Sequence, residues 1–156
     1  MQTRGMTIYH ERVWASAWLF ISTALVIPAS LLVFLPINIT AGIVSAIVLY
    51  AGCVAALIIT SPTIEVTSKY FVAGRARLPI EFVGAASGFL DEDATLERGQ
   101  RLDARAWLLI RGWVSPVVKV EVVDPDDPTP YWVVSTRHPA AVVAALAEAK
   151  SRSSVA

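Results

Sequence analysis

The sequence predicts an α+β membrane protein, a two-helix transmembrane hairpin followed by an antiparallel β domain that ends in a helix. Three observations carry this expectation. From Val13 to Ile64 there is no Asp, Glu, Lys or Arg, a run of 52 residues in a chain of 156. All 26 charges sit in the other 104 residues, at the density of an ordinary soluble domain. Beyond the uncharged run, apolar residues mostly alternate with polar ones, and a helical pattern returns only near the C-terminus.

A bilayer core of about 30 Å needs about 20 helical residues, so the uncharged run suits two spans and a tight connection. Pro36-Ile37-Asn38 interrupts the aliphatic sequence, which predicts spans over 15–35 and 39–60. Trp14 and Trp18 stand where an interfacial aromatic belt begins, and Pro62 stops the second helix. A soluble helix pair would carry charges on its outward faces. Arg4 and Arg12 precede the spans, Lys69, Arg75 and Arg77 follow them, and the connection has no basic residue. The positive-inside rule then puts both termini in the cytosol of a multi-pass protein of the cytoplasmic membrane. Arg12, Lys69, Arg75 and Arg77 are expected at the membrane surface.

The expected layout is a cytosolic N-terminal arm over 1–12, the hairpin over 13–62, a cytosolic domain over 63–150 and a disordered tail over 151–156. Asn38-Ile39-Thr40 spells a glycosylation acceptor at the membrane surface and is discounted. Cys53, the single cysteine, reads as a small apolar residue of the second span. Ala41, Ser45, Gly52 and Ala55, with Gly42 and Ala46 beside them, make a small-residue face for close helix packing. That face packs on the first span or docks on another membrane protein. Pro28 is expected to free the carbonyl of Ala24, within reach of the Tyr50 hydroxyl or of Ser22 and Thr23. Neither span holds an ionisable residue, which excludes a proton or ion path of the usual kind.

In the domain, strands are expected around Ile64–Thr67, Leu78–Phe82, Gly84–Leu90, Trp107–Ile110, Val118–Val122 and Tyr131–Val134. Residues 91–103 read as a polar loop with one helical turn. Asp124-Pro125-Asp126-Asp127-Pro128-Thr129-Pro130 allows neither helix nor central strand and reads as a rigid turn. Pro139 opens a terminal helix whose apolar face is Val142, Val143, Leu146 and Ala149. Strands followed by one amphipathic helix is the order of a pleckstrin-homology-like barrel, or else of an open sheet covered on one face.

Residues 124–137, Asp-Pro-Asp-Asp-Pro-Thr-Pro-Tyr-Trp-Val-Val-Ser-Thr-Arg, carry a resemblance. With Tyr9-His10-Glu11-Arg12, Leu78-Pro79 and Arg111-Gly112-Trp113, they resemble a small bacterial membrane-protein family, domain of unknown function 3093. Gly112 stands where the resemblance expects proline. The resemblance implies a two-span cytoplasmic-membrane protein with a pleckstrin-like tail, and brings no activity with it.

Arg111, Trp113, Tyr131, Trp132, Ser135, Thr136 and Arg137 form the most concentrated polar-aromatic set and are the candidate binding residues. Beside a helix start they suit an anion, a peptide or a partner subunit, or simply a core-closing network with Asp124 and Asp127. Ser135, His138 and Asp124 or Asp127 lack a nucleophile elbow, so no catalytic residue is assigned. The aspartates miss the glycine and glutamate of a calcium loop, and no zinc cluster, phosphate loop or dinucleotide fingerprint is present, so neither metal nor cofactor is expected. A near-zero net charge argues against nucleic acid as a partner. The functional expectation is a non-catalytic scaffold or binding module, for example as an accessory subunit of a larger membrane complex. The alternatives are an enzyme or enzyme subunit acting on a lipid-linked or anionic substrate, and an anionic-lipid sensor. The sequence leaves the oligomeric state open.

Overall fold

A computed structural model describes residues 6–154. Arg4, counted above for orientation, lies outside them, as do the last two residues of the expected tail. The chain divides into two units, residues 14–61 and the remainder on both sides of that stretch.

The first unit is the helical hairpin. Its two apolar stretches, Ala17–Phe34 and Ile39–Ile59, have mean hydropathies of 2.2 and 2.5 and are only 6% and 11% buried. The first is not one regular helix. It comprises α1 (Ala17–Thr23) and α2 (Val26–Phe34), interrupted at Ala24-Leu25. Pro28 has no N–H for the Ala24 carbonyl, and the Ile27 N–H takes that carbonyl at 3.0 Å, tightening the turn. Thr23 bonds its own helix through Leu19 O at 2.7 Å. The Ala24 carbonyl and the Thr23 hydroxyl thus each have a partner within the first stretch. Asn38, read from sequence only as an interruption, caps α3 (Ile39–Ile59): its side chain accepts from the Thr40 N–H at 2.8 Å.

The second unit begins with a strand, in the segment expected as an N-terminal arm. β1 (Thr7–Arg12) pairs antiparallel with β2 (Thr63–Thr67), with Arg12 opposite Thr63. β3 (Tyr70–Ala73) and β4 (Ala76–Pro79) complete a sheet in the order β1-β2-β3-β4. Gly74, at φ 62°, opens the two-residue turn between β3 and β4, where a side chain would be strained. The alternation expected through Leu78–Phe82 stops at Pro79. That proline ends an edge strand, and Ile80–Phe82 is a single 3₁₀ turn.

A second sheet follows, in the order β5-β7-β8-β6, from β5 (Val83–Phe89), β6 (Trp107–Leu109), β7 (Val117–Val122) and β8 (Tyr131–Ser135). β6 lies parallel to β8, whereas every other pair is antiparallel. The two sheets do not join into one closed barrel. Residues expected as a loop after β5 form a full helix, α4 (Asp91–Arg98). The terminal helix α5 (Pro139–Ser153) starts at Pro139 as expected and runs three residues into the segment expected to be disordered.

The main core is built from both sheets and α5, through Ile64, Val66, Phe71, Val118, Val120, Trp132, Val134, Val142 and Leu146. A smaller core of Ala94, Val117, Tyr131 and Val133 lies between the opposite face of β7–β8 and α4. With both faces covered, all five residues of β8 are buried, which explains its unbroken apolar run.

Candidate functional site

The polar residues of highest connectivity gather where β8 hands over to α5. β8 ends at Ser135, and Pro139 fixes the first turn of α5, so Thr136, Arg137 and His138 form a tight passage between them. Thr136 is fully buried. Its hydroxyl donates to Glu11 Oε2 of β1, and its oxygen also accepts from the His138 N–H at 3.1 Å. The second carboxylate oxygen, Oε1, accepts from the Arg137 N–H at 3.0 Å. Tyr9 adds its phenol to Oε2 at 2.9 Å. One carboxylate thus takes three donors and ties the first strand to the last strand–helix junction. Burial, with the hydrogen bond to Glu11 and its negative charge, pushes the Tyr9 phenol up to about 12.

The expected polar-aromatic set divides. Ser135, Thr136, Arg137, Arg111 and Trp113 come together, because β6 and β8 run parallel and finish side by side. The Arg111 N–H donates to Ser135 Oγ at 3.0 Å, and the Arg111 guanidinium lies 6.0 Å from the Trp113 ring centroid and donates to Ile110 O. The Trp113 indole N–H is buried without a hydrogen-bond partner. Tyr131 and Trp132 lie at the opposite end of β8, and consecutive strand residues face opposite ways. Trp132 stacks in the main core, 4.4 Å from Trp107 and 5.8 Å from Phe71 between ring centroids. Tyr131 belongs to the smaller core, where its hydroxyl accepts from the Asp103 N–H at 2.6 Å and donates to Arg101 O at 3.2 Å.

Beside Tyr131 is a buried ion pair that sequence reading missed. Glu97 of α4, only 4% exposed, accepts from Lys119 Nζ of β7 at 2.9 Å and from Arg101 at 3.3 Å. The Lys119 ammonium also lies 4.2 Å from the centroid of the Tyr131 ring. Burial pushes the Glu97 carboxyl up, yet the bonds and charges of Lys119 and Arg101 outweigh it and hold Glu97 below the usual range.

Asp124 and Asp127 occupy the loop entering β8, while Ser135 and His138 lie at its exit, so the imagined catalytic trio is not assembled. Within their own loop, Asp124 accepts from the Asp126 N–H and Asp127 from the Thr129 N–H. The Thr129 bond also lowers the Asp127 carboxyl. Among the described residues, no group of three His, Cys, Asp or Glu is placed to hold a metal.

The residues expected at the membrane surface divide as well. Arg12 ends β1, and Arg75 follows Gly74, whose N–H bonds Thr63 O at 2.8 Å, so these two share one end of the first sheet. Arg77 pairs with Val72 one step along, and Lys69 is in the β2–β3 turn at the far end. Of the small residues on α3, Gly42 and Ala46 are buried and Ala41 and Ser45 half-buried, whereas Gly52 and Ala55 are exposed. The packed face, through Gly42, Ala46, Cys53 and Leu57, is offset by about a quarter-turn from the expected one at 3.6 residues per turn.

One groove of about 410 Å³ runs between the end of β5 and α5, lined by Gly88, Leu90, Pro139, Ala140, Val143, Ala144 and Ala147. Gly88 is needed there, since a Cβ would stand 2.9 Å from Pro139 Cβ.

Glu11 and Tyr9 were visible in sequence only as part of the Tyr9–Arg12 resemblance; no local pattern marks them as partners of residues 136 and 137. Neither a curated protein nor a solved structure matches the chain. A family model, described as protein of unknown function (DUF3093), matches residues 8–146, from β1 through the first half of α5, and the chain belongs to that family.

Proposed function

We propose that this protein is a non-catalytic binding module held at the cytosolic face of the bacterial cytoplasmic membrane by its helical hairpin, with a pleckstrin-like domain that docks a partner subunit. The observation that carries the reading is the groove on α5. Its walls are apolar, and Leu90 on its rim is 56% exposed. Such a surface favours an apolar peptide segment over a polar substrate. The polar groups at the β8–α5 junction support the same reading. The Glu11 carboxylate is occupied by three donors and Ser135 Oγ by a main-chain N–H, so both act as structural ties. The anchor rests on the length and apolarity of the two stretches and on outward side chains such as Leu32 and Ile59, 78% and 80% exposed.

A photo-reactive residue replacing Ala144 tests the docking. In the membrane fraction it is expected to form one dominant adduct with a second polypeptide, and the same residue replacing Arg105 is not. Identical adduct patterns from both positions would defeat the reading. Release of the chain by alkaline carbonate would defeat the anchor itself.

A further inference from the structure

Among the described residues the two sheets end in four outer strands, β1, β4, β5 and β6, and three of them are guarded against further pairing. β1 carries His10, Glu11 and Arg12, β4 carries Arg77 and ends at Pro79, and β6 is only 3 residues long. Charge, proline and shortness are the usual guards of a sheet edge. β5, Val-Gly-Ala-Ala-Ser-Gly-Phe, has neither charge nor proline. Its shift in register, between Val83 and Ala86, lies at its start. From Ala86 to Phe89 the pairing with β7 is unbroken, and Leu90 stays extended at φ −121° and ψ 162°. Ser87, Gly88 and Leu90 are exposed. Strand residues alternate between faces, so Ala86, Gly88 and Leu90 share the face on which Pro139 approaches Gly88. α5 runs antiparallel to β5 on that face: Pro139 stands at Gly88, and Lys150 Nζ donates to Gly84 O at 3.0 Å.

We infer that β5 pairs antiparallel with β5 of a second copy of this chain, about a two-fold axis at Gly88, and that the second copy's Leu90 fills the groove. The inference rests on the docking reading above and names its partner. The segment 86–90, Ala-Ser-Gly-Phe-Leu, complements its own reverse. Gly88 meets Gly88, Phe89 lies opposite Ser87 and Leu90 opposite Ala86, so each large side chain faces a small one. Leu90 of one copy then enters the other's groove at the level of Ala86, on the face lined by Ala144 and Ala147 of α5. One residue further, Asp91 of one copy comes opposite Ala85 of the other, next to Gly84 and the Lys150 ammonium held there. Opposite charges thus meet at both ends of the paired strands, which favours this register over its slips.

Two full-length chains with different tags, both carrying Cys53→Ser, are co-expressed and oxidised in the membrane, one with Ala86→Cys and the other with Leu90→Cys. The mixed pair should form a disulfide-linked dimer, because the two positions are opposed. Either variant alone should not, since its symmetry mate lies four residues along, about 13 Å away at about 3.3 Å per residue and beyond disulfide reach. If Ala86→Cys fails to fold, Ser87→Cys with Phe89→Cys carries the same expectation. In detergent micelles the wild-type chain should sediment as a dimer. Ser87→Lys and Lys150→Glu, both at exposed positions, should each weaken that dimer about fivefold. Equal cross-linking by single and mixed variants overturns the pairing, and so does a dimer unmoved by both substitutions. A monomeric chain with no mixed disulfide overturns the second copy; an Ala144 adduct with a different polypeptide would then leave the docking reading intact. Absence of any Ala144 adduct overturns both the docking reading and the filled groove.

Discussion

At the scale of single residues, two carboxylates hold the domain together in different ways. Glu11 is an acceptor surrounded by donors, namely the Tyr9 phenol, the Thr136 hydroxyl and the Arg137 N–H. Glu11→Gln replaces one acceptor oxygen with an amide that can only donate. Charge-assisted bonds of this kind are each worth about 1.5–3 kcal/mol, so a loss of about 2 kcal/mol in denaturant-unfolding stability is expected. An unchanged midpoint would show that the tie is dispensable. Glu97 is held by Lys119 and Arg101 with its own side chain buried. Glu97→Gln leaves the Lys119 ammonium without its counter-charge and is expected to cost about 3 kcal/mol. The pH dependence has a definite sign. Glu97 is held below the usual range when folded, so its contribution is present above the ordinary glutamate value of about 4.3. It is lost as pH falls through the lowered folded value. Thermal melts of wild type and Glu97→Gln should therefore converge as the pH is taken below 4.

The elements show where local rules suffice and where packing overrides them. Asn38 caps α3, Gly74 turns β3 into β4, and Pro139 starts α5, and each follows from the chemistry of one residue. The packed face of α3 does not follow from composition. Small residues surround much of that helix, and only contact with the first stretch selects which of them are buried. Gly42 would bring a Cβ to 3.5 Å from Leu31 and 3.6 Å from Phe34, whereas Gly52 has open space. Ala at position 42 therefore fits, but Gly42→Leu is expected to loosen the hairpin by about 1–3 kcal/mol through overpacking. Gly52→Leu should be neutral. Reversible unfolding of the hairpin in detergent micelles would compare them, and equal destabilisation would contradict the packing described. β8 shows the same override within the domain. Its run Tyr-Trp-Val-Val-Ser reads as a buried strand, but the division of Tyr131 and Trp132 between two cores depends on α4 covering the outer face.

For the whole molecule, the hairpin is an insertion between two paired strands. Val13 and Pro62 meet through a 2.9 Å hydrogen bond, although 48 residues separate them in the chain. Replacing residues 14–61 with a short glycine-serine linker is therefore expected to leave a cooperatively folding, soluble domain. Residues 62–156 alone, which lack β1 and Glu11, should not fold this way. Near-ultraviolet circular dichroism and amide exchange would distinguish the two, and a well-folded 62–156 fragment would disprove the dependence on β1. Much of the architecture was legible in the chain: the two apolar stretches, most strands, the rigid turn before Tyr131 and the start of α5. These are properties of contiguous residues, since apolar length, period-two alternation and proline chemistry act through near neighbours. The membership of β1, the parallel placement of β6, the tie from Glu11 to Thr136 across 125 residues and the Glu97–Lys119 pair were not legible. Glutamate in a polar segment looks the same in sequence whether it meets water or a buried partner. Which of these holds is decided by strand pairing between distant segments, because a carboxylate can leave water only where the fold supplies donors in its place.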